Sequence, residues 1–278
     1  MKIIVVALAL TTAVAMQRAA VPAATSQIPG FIGQEVQPPK MHVPEGFTPI
    51  FNGKDLTGWH VSKTNHHGIT PDYHVQQGLI VGTQRPLGSG GILLTDKTYK
   101  NYEVYMEVKP DWGCDSGLFL RSDEAGDAYQ VTLDYLPGGT LGGMYGEGLN
   151  GVNGANNAYG TPERAAATAQ RASQAPPASQ PATPMAERQS ERPDPSLPWV
   201  KAWKREEWNT VRARIEGDVP HIQAWINDQQ VLDFTDTANH ATKGITEGPI
   251  GIQIHGGPDR WVPGGFWRWR VIAVKELK

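Results

Sequence analysis

The sequence predicts an all-β domain, a sandwich of antiparallel sheets, and three observations carry that reading. Short segments alternate apolar and polar residues with period 2. Among 278 residues, 31 Gly and 22 Pro separate these segments with turn signals. Few stretches repeat with the 3.6-residue period of a helix.

The chain opens MKIIVVALALTTAVAM, in which one Lys precedes an apolar run and then a small-residue Ala-Val-Ala site. This is the pattern of a secretory signal over residues 1–15, with cleavage as late as about residue 25, and the run is too short to span a bilayer. Export to the periplasm or the exterior is therefore expected. Residues 16–45 are rich in Ala, Pro and Gln and read as an N-terminal arm, and residues 46–278 form the domain.

The first strand and turn come from GFTPIFNGKDLTGWH, with Asn52-Gly53 turning and Trp59 packing inward. Residues 73–75 and 79–81 flank Gln77-Gly78 as a hairpin, and Gly90-Gly91 introduces a strand at 92–95. Residues 102–109 place Val104, Met106 and Val108 on one face and Glu103, Tyr105, Glu107 and Lys109 on the other. Glu103 and Glu107 could form an acid/base pair, but Tyr105 and Lys109 share their face, which favours a solvated surface. Residues 154–198 change to an Ala, Pro, Gln and Ser mixture with few bulky apolar groups, an insertion that cannot build a core and is expected to be disordered or weakly helical. Strands resume from Trp208, turn at Asn227-Asp228, and place Ile222, Ala224 and Ile226 inward. Ile250, Ile252 and Ile254 face the core, with Gln253 and His255 opposite. The closing FWRWRVIAVKEL is a last strand that pairs with, or lies beside, the first.

The segment DWGCDSGLFLRSDEAGDAYQVTLDYLPGGTLGGMYGEG at 111–148 is the chemically richest. Tyr129, Val131, Leu133 and Tyr135 form its apolar set, leaving Gln130, Thr132 and Asp134 opposite. In the strand before it, Leu118 and Leu120 alternate with Phe119 and Arg121. A stripe of Asp, Gln, Thr and Arg suits a sugar-binding cleft, and it equally describes a solvated sheet face. Trp225 could stack on a pyranose ring or pack in the core.

His60, His66, His67 and His74 invite a metal reading, but their spacing fits neither a helical i, i+4 pair nor a zinc signature, Asn65-His66-His67-Gly68 reads as a loop, and solvated or cleft-rim histidines are the favoured reading. Cys114 is the only cysteine; it excludes an intramolecular disulfide and reads as a packed residue beside a turn. The net charge of -3, without a basic block, argues against nucleic acid and anionic membrane surfaces and for a neutral partner.

Several segments, in order, resemble the 3-keto-disaccharide hydrolase domain family, built on a concanavalin-like jelly-roll β-sandwich. They are FNGKDLTGW at 51–59, YHVQQG at 73–78, DSGLFLR at 115–121, YQVTLDY at 129–135, GGMYGEG at 142–148, EWNTVR at 207–212, INDQQV at 226–231, GIQIHGG at 251–257 and the final VKEL. This chain has Asp115-Ser116-Gly117 where the family has Asn-Ser-Gly, and Tyr129-Gln130 where it has Tyr-Glu. The resemblance implies cleavage of a small oligosaccharide or glycoside already oxidised to a ketone at carbon 3. The ketone acidifies the hydrogen at carbon 2, so a base can form an enolate, the aglycone leaves carbon 1, and water adds back.

Carried onto this sequence, the resemblance makes His255 the base, Asp134 its orienting partner or substitute, and Glu147 the acid. Arg121 and Gln253 would hold the ketone or hydroxyls, with Asp115, Gln130, Tyr145 and Trp225 completing the binding set. It assigns no metal ligands, although a divalent cation is compatible with the chemistry. Two other readings stand beside this one. A carbohydrate-binding module would use the same fold without turnover. A retaining glucanase needs two carboxylates roughly 5 Å apart, which Gln130 disfavours.

Overall fold

The computed structural model describes residues 42–135, 141–152 and 201–278. The signal sequence, most of the arm and the 154–198 insertion lie outside them. Fourteen strands are present among the described residues, arranged in two antiparallel sheets. No helix there is long and apolar enough to cross a membrane.

One sheet runs β12(Gln229–Thr235), β11(His221–Ile226), β10(Asn209–Glu216), β6(Tyr102–Val108), β14(Trp267–Glu276), β4(Leu79–Thr83), β3(Asp72–Gln76), and β1(Thr48–Pro49) pairs with β14. The expected pairing of the domain's first and last strands is realised there, Thr48 opposite Val274. The other sheet runs β2(Trp59–Val61), β5(Gly91–Thr95), β13(Gly251–Ile254), β7(Gly117–Leu120), β8(Ala128–Thr132), β9(Met144–Glu147).

Alternation decides what lies between the sheets. Val104, Met106, Val108, Val211, Ala213 and Ile222 from the first sheet join Leu118, Leu120, Tyr129, Val131, Ile252 and Ile254 from the second in one buried cluster. Strand registers are pinned by tight turns: Gln77-Gly78 and Asn227-Asp228 have positive φ at both positions, the geometry of two-residue hairpins. Cys114 is fully buried, and burial raises its thiol pKa well above the usual range, so it is a packing residue.

The outward face of the second sheet carries a smaller apolar group, Ile92, Leu94, Phe119 and Ala128. Beside it come Gln130 and Gln253, through the pairs Phe119 with Gln130, Gln130 with Tyr145, and Ile92 with Gln253. That face is the floor of the site. The outward face of the first sheet is an ionic and aromatic surface: Arg212 bonds Glu103 at 3.1 Å and stacks on Trp225, and Arg270 pairs with Glu107 and lies over Trp208. Glu103 and Glu107 are thus structural partners of arginines on the side away from the cleft.

Candidate active site

A cavity of about 740 Å³ opens over the second sheet. Its lining includes Asp115, Gln130, Asp134, Tyr145, Glu147 and His255, which the sequence singled out, together with His66, His67 and Arg260. Strand β8 and its continuation turn Gln130, Thr132 and Asp134 to this side, and β9 does the same for Tyr145 and Glu147.

His255 follows β13 and is held by its surroundings. Gln84 donates to the carbonyls of His255 and Gly257 at 2.6 and 2.9 Å, and the amide of His255 reaches the Asp115 carbonyl at 3.4 Å. Its Nδ1 lies 2.6 Å from the Gly256 carbonyl, which can only accept, so Nδ1 carries the hydrogen and Nε2 is left with a lone pair. That Nε2 is 3.9 Å from Asp115 Oδ2. Burial pushes the imidazole pKa down to about 4; the Gly256 contact and Glu147 oppose this, while His67 and Arg260 add to it. His255 is therefore neutral at neutral pH.

Arg260 ends a short 3-10 turn, and its Nη1 lies 3.5 Å from Asp115 Oδ2 and 3.4 Å from Asp134 Oδ2. It links the two acids on one side of the cavity. Nothing in the alternation of the strands pointed to it, because it comes from a connection.

The opposite side is made by the loop after β2. Ser62 and Thr64 hydroxyls donate to the Glu124 carbonyl at 2.5 and 3.0 Å, and Asn65 Oδ1 caps the amide of His67 at 3.1 Å. Close backbone approach at Gly90 and Gly256 presses this loop onto the sheet: a Cβ at Gly256 would stand 2.5 Å from the His67 carbonyl oxygen. The loop thereby sets His66 Nε2 at 2.7 Å and His67 Nε2 at 3.5 Å from Glu147 Oε1. Burial alone would raise the Glu147 pKa. The contact with His67 and the nearby His66 and His255 outweigh it and hold the carboxyl below its usual range. Glu147 is thus a carboxylate and does not fit the role of acid expected from the sequence. Tyr145 keeps its proton, its pKa raised by burial and by the charge of Glu147.

The four histidines do not act as one cluster. His60 lies between Asp96 and Glu124 at 2.6 and 2.9 Å, and His74 is beside Asp72 at 3.3 Å. His66, His67 and Glu147, however, bring three donor atoms within 4.8 Å of one another, and two imidazoles with a carboxylate suit a divalent transition metal. The loop read as a rim thus contributes to the site, a long-range pairing with β9 that local spacing does not encode.

Three predicted ligand contacts are not in the lining of the cavity. Arg121 is 1% exposed and follows β7 with φ of 48°, and its guanidinium donates to the carbonyls of Lys100 and Gly217 at 2.8 and 2.9 Å. The left-handed residue breaks the alternation and takes the side chain out of the cleft. Trp225 lies on β11 in the other sheet under Arg212, 3.8 Å from its ring centre, so neither sugar stacking in this cavity nor core packing describes it. Gln253, fully buried, lies behind the cavity wall.

Among known families, the one described as the 3-keto-alpha-glucoside-1,2-lyase-like domain matches residues 46–275. No curated protein matches the chain. Among solved structures, it is similar to a candidate glycosyl hydrolase from Parabacteroides distasonis, with 19% identity, 84% of this chain and 95% of that one covered, and a TM-score of 0.45. It is also similar to the carbohydrate-binding module CBM66 from Bacillus subtilis, at 10% identity, 79% and 96% coverage and a TM-score of 0.43. Alginate lyase Aly36B gives 12% identity, 85% and 99% coverage and a TM-score of 0.42.

Proposed function

The chain belongs to the 3-keto-alpha-glucoside-1,2-lyase-like family, and from that premise we propose that it is an exported enzyme that cleaves 3-keto-glycosides by elimination and hydration. The observation that carries this reading is a neutral imidazole, His255, with its lone pair free of a hydrogen, in a polar cavity that also holds a protonated phenol and a carboxylate with two imidazoles.

In this reading His255 Nε2 takes the hydrogen from carbon 2, and the electrons of that C–H bond pass into an enolate delocalised onto the oxygen at carbon 3. The C1–O bond then breaks and its electron pair leaves with the aglycone oxygen, to which Tyr145 gives its proton. Water then adds across the resulting C1–C2 double bond: the phenolate of Tyr145 takes one of its protons as its hydroxyl bonds to carbon 1, and the imidazolium of His255, whose proton exchanges with solvent, gives a proton to carbon 2, restoring both residues. Asp115 and Asp134, set by Arg260, accept hydrogen bonds from sugar hydroxyls. A divalent cation held by His66, His67 and Glu147 would polarise the ketone and stabilise the negative charge of the enolate.

The test is His255→Gln with a substrate deuterated at carbon 2. The substitution is expected to cut turnover by roughly 10²–10⁴-fold, the contribution of a general base, without loss of folding. The deuterated substrate should turn over more slowly in the wild type when proton removal limits the rate. Undiminished turnover in His255→Gln would remove this residue from the reaction.

A further inference from the structure

The loop that carries His66 and His67 to the site is fastened at its start by one residue of the turn between β7 and β8. The carbonyl of Glu124 accepts from the hydroxyls of Ser62 and Thr64 at 2.5 and 3.0 Å, and its carboxylate accepts from the amide of Lys63 at 3.4 Å. Glu124 thus meets three consecutive residues of that loop. Asp123 stiffens the turn by accepting from the amides of Ala125 and Asp127 at 2.8 and 3.0 Å. Gly126 lets it lie close, since a Cβ there would stand 2.5 Å from Ile92 Cδ1 and 3.3 Å from the Cβ of Asn65, the residue that caps the amide of His67.

His60 decides where the Glu124 carboxylate stands. It lies opposite Leu94 on the outward face of the second sheet, with Asp96 Oδ1 2.6 Å from its Nδ1 and Glu124 Oε2 2.9 Å from its Nε2. Carboxylates only accept, and a neutral imidazole has a single N–H, so only the imidazolium satisfies both contacts. These two acids, one after β5 and one before β8, are the charged groups that act on His60 among the described residues. Burial by itself would lower the pKa of His60; the contacts with Glu124 and Asp96 outweigh it and raise the pKa above 6.5. When the proton leaves, the shorter contact keeps the remaining hydrogen at Nδ1. The lone pair of Nε2 then faces the Glu124 carboxylate.

We propose that His60 and Glu124 form a proton-operated latch on the loop that bears His66 and His67: the imidazolium holds the Glu124 turn against residues 62–65, and loss of its proton loosens them. His60 and Glu124 are then positioning residues that act through Ser62, Lys63 and Thr64, and neither lines the cavity. The side chains of His60, Asp96 and Glu124 are 41%, 58% and 53% exposed, and an ion pair so placed shifts an equilibrium by about two- to fivefold. The sign follows from the raised pKa. The latch is complete below pH 6.5, where the unfolded histidine would also be charged, and it is lost as pH rises through the pKa of folded His60. The consequence for turnover, but not the latch itself, rests on the function proposed above.

The experiment is amide hydrogen exchange of the nitrogen-15-labelled full chain across the titration of His60, comparing wild type with Glu124→Gln. Its reporter is the amide of Gly90, which bonds the His67 carbonyl at 3.1 Å and so reads whether the loop lies on the sheet. In the wild type, Gly90 protection relative to its intrinsic exchange rate is expected to fall by that factor with the midpoint of the His60 ring, and kcat/KM for a 3-keto-glucoside to fall with the same midpoint. A glutamine amide can pair with an imidazole in either protonation state, so Glu124→Gln should fold and lose both dependences. Protection of Gly90 that ignores the His60 midpoint in the wild type overturns the latch, whether or not the variant folds. So does a dependence that persists in folded Glu124→Gln. If Gly90 follows His60 while the wild type turns over no keto sugar, the latch stands and the proposed function fails.

Discussion

At the scale of single residues, His255 and Arg121 lead to predictions of opposite character. His255 has its pKa lowered by burial from 6.5 to about 4. The acid limb of kcat/KM should therefore lie near pH 4, and an acid limb near 6.5 would show a base with an ordinary imidazole pKa. The stability consequence has the same sign. Between those two values the unfolded chain binds a proton that folded His255 does not, so stability rises with pH across that window and is lost as pH falls through it. Arg121 is the contrasting case. Arg121→Met removes a buried guanidinium that donates to the carbonyls of Lys100 and Gly217 and should cost about 1–3 kcal/mol of stability, as expected when a side chain that makes such hydrogen bonds is lost. KM should stay unchanged in the folded fraction, and a raised KM without loss of stability would return Arg121 to the cleft. Alternation assigned His255, Gln130 and Asp134 to the right face because their strands are regular. It misplaced Arg121 because one residue with φ of 48° ends the period.

At the scale of elements, the strands were legible because one face of each is buried and a slip of one residue would expose it. What the sequence did not reveal is how a loop meets a distant strand. His66 and His67 were visible as histidines, but their approach to Glu147 depends on glycines that let three backbone segments touch. The side chains of β7 and β8 show the same dependence. Gly117→Ala would put a methyl group 2.1 Å from Gln130 Nε2, and overpacking of this kind costs about 1–3 kcal/mol. Gly117→Ala should thus lower both the melting temperature and the turnover, while Gln130→Ala in the same background should restore the melting temperature without restoring turnover. Recovery of neither would mean that Gly117 is required for another reason. The surface of β6, β10 and β11 gives an inverse example. Trp225 had the composition of a sugar platform, yet its cation partner Arg212 and its place in the other sheet separate it from the cavity.

At the scale of the whole molecule, the N-terminal pattern leads us to propose export with cleavage after about residue 15, and N-terminal sequencing of exported protein should return a chain lacking Met1. An intact Met1 outside the cytoplasm contradicts it. The central claim concerns chemistry, and the family, the cavity and the neutral His255 all bear on one question: whether the ketone at carbon 3 is required. The most direct measurement offers the purified protein a 3-keto-glucoside and its unoxidised parent in deuterated water and follows aglycone release and deuterium at carbon 2 of the sugar. The account predicts release from the keto sugar alone, with deuterium entering at carbon 2 when water adds back; equal release from the unoxidised parent, or binding of both without release, would contradict it.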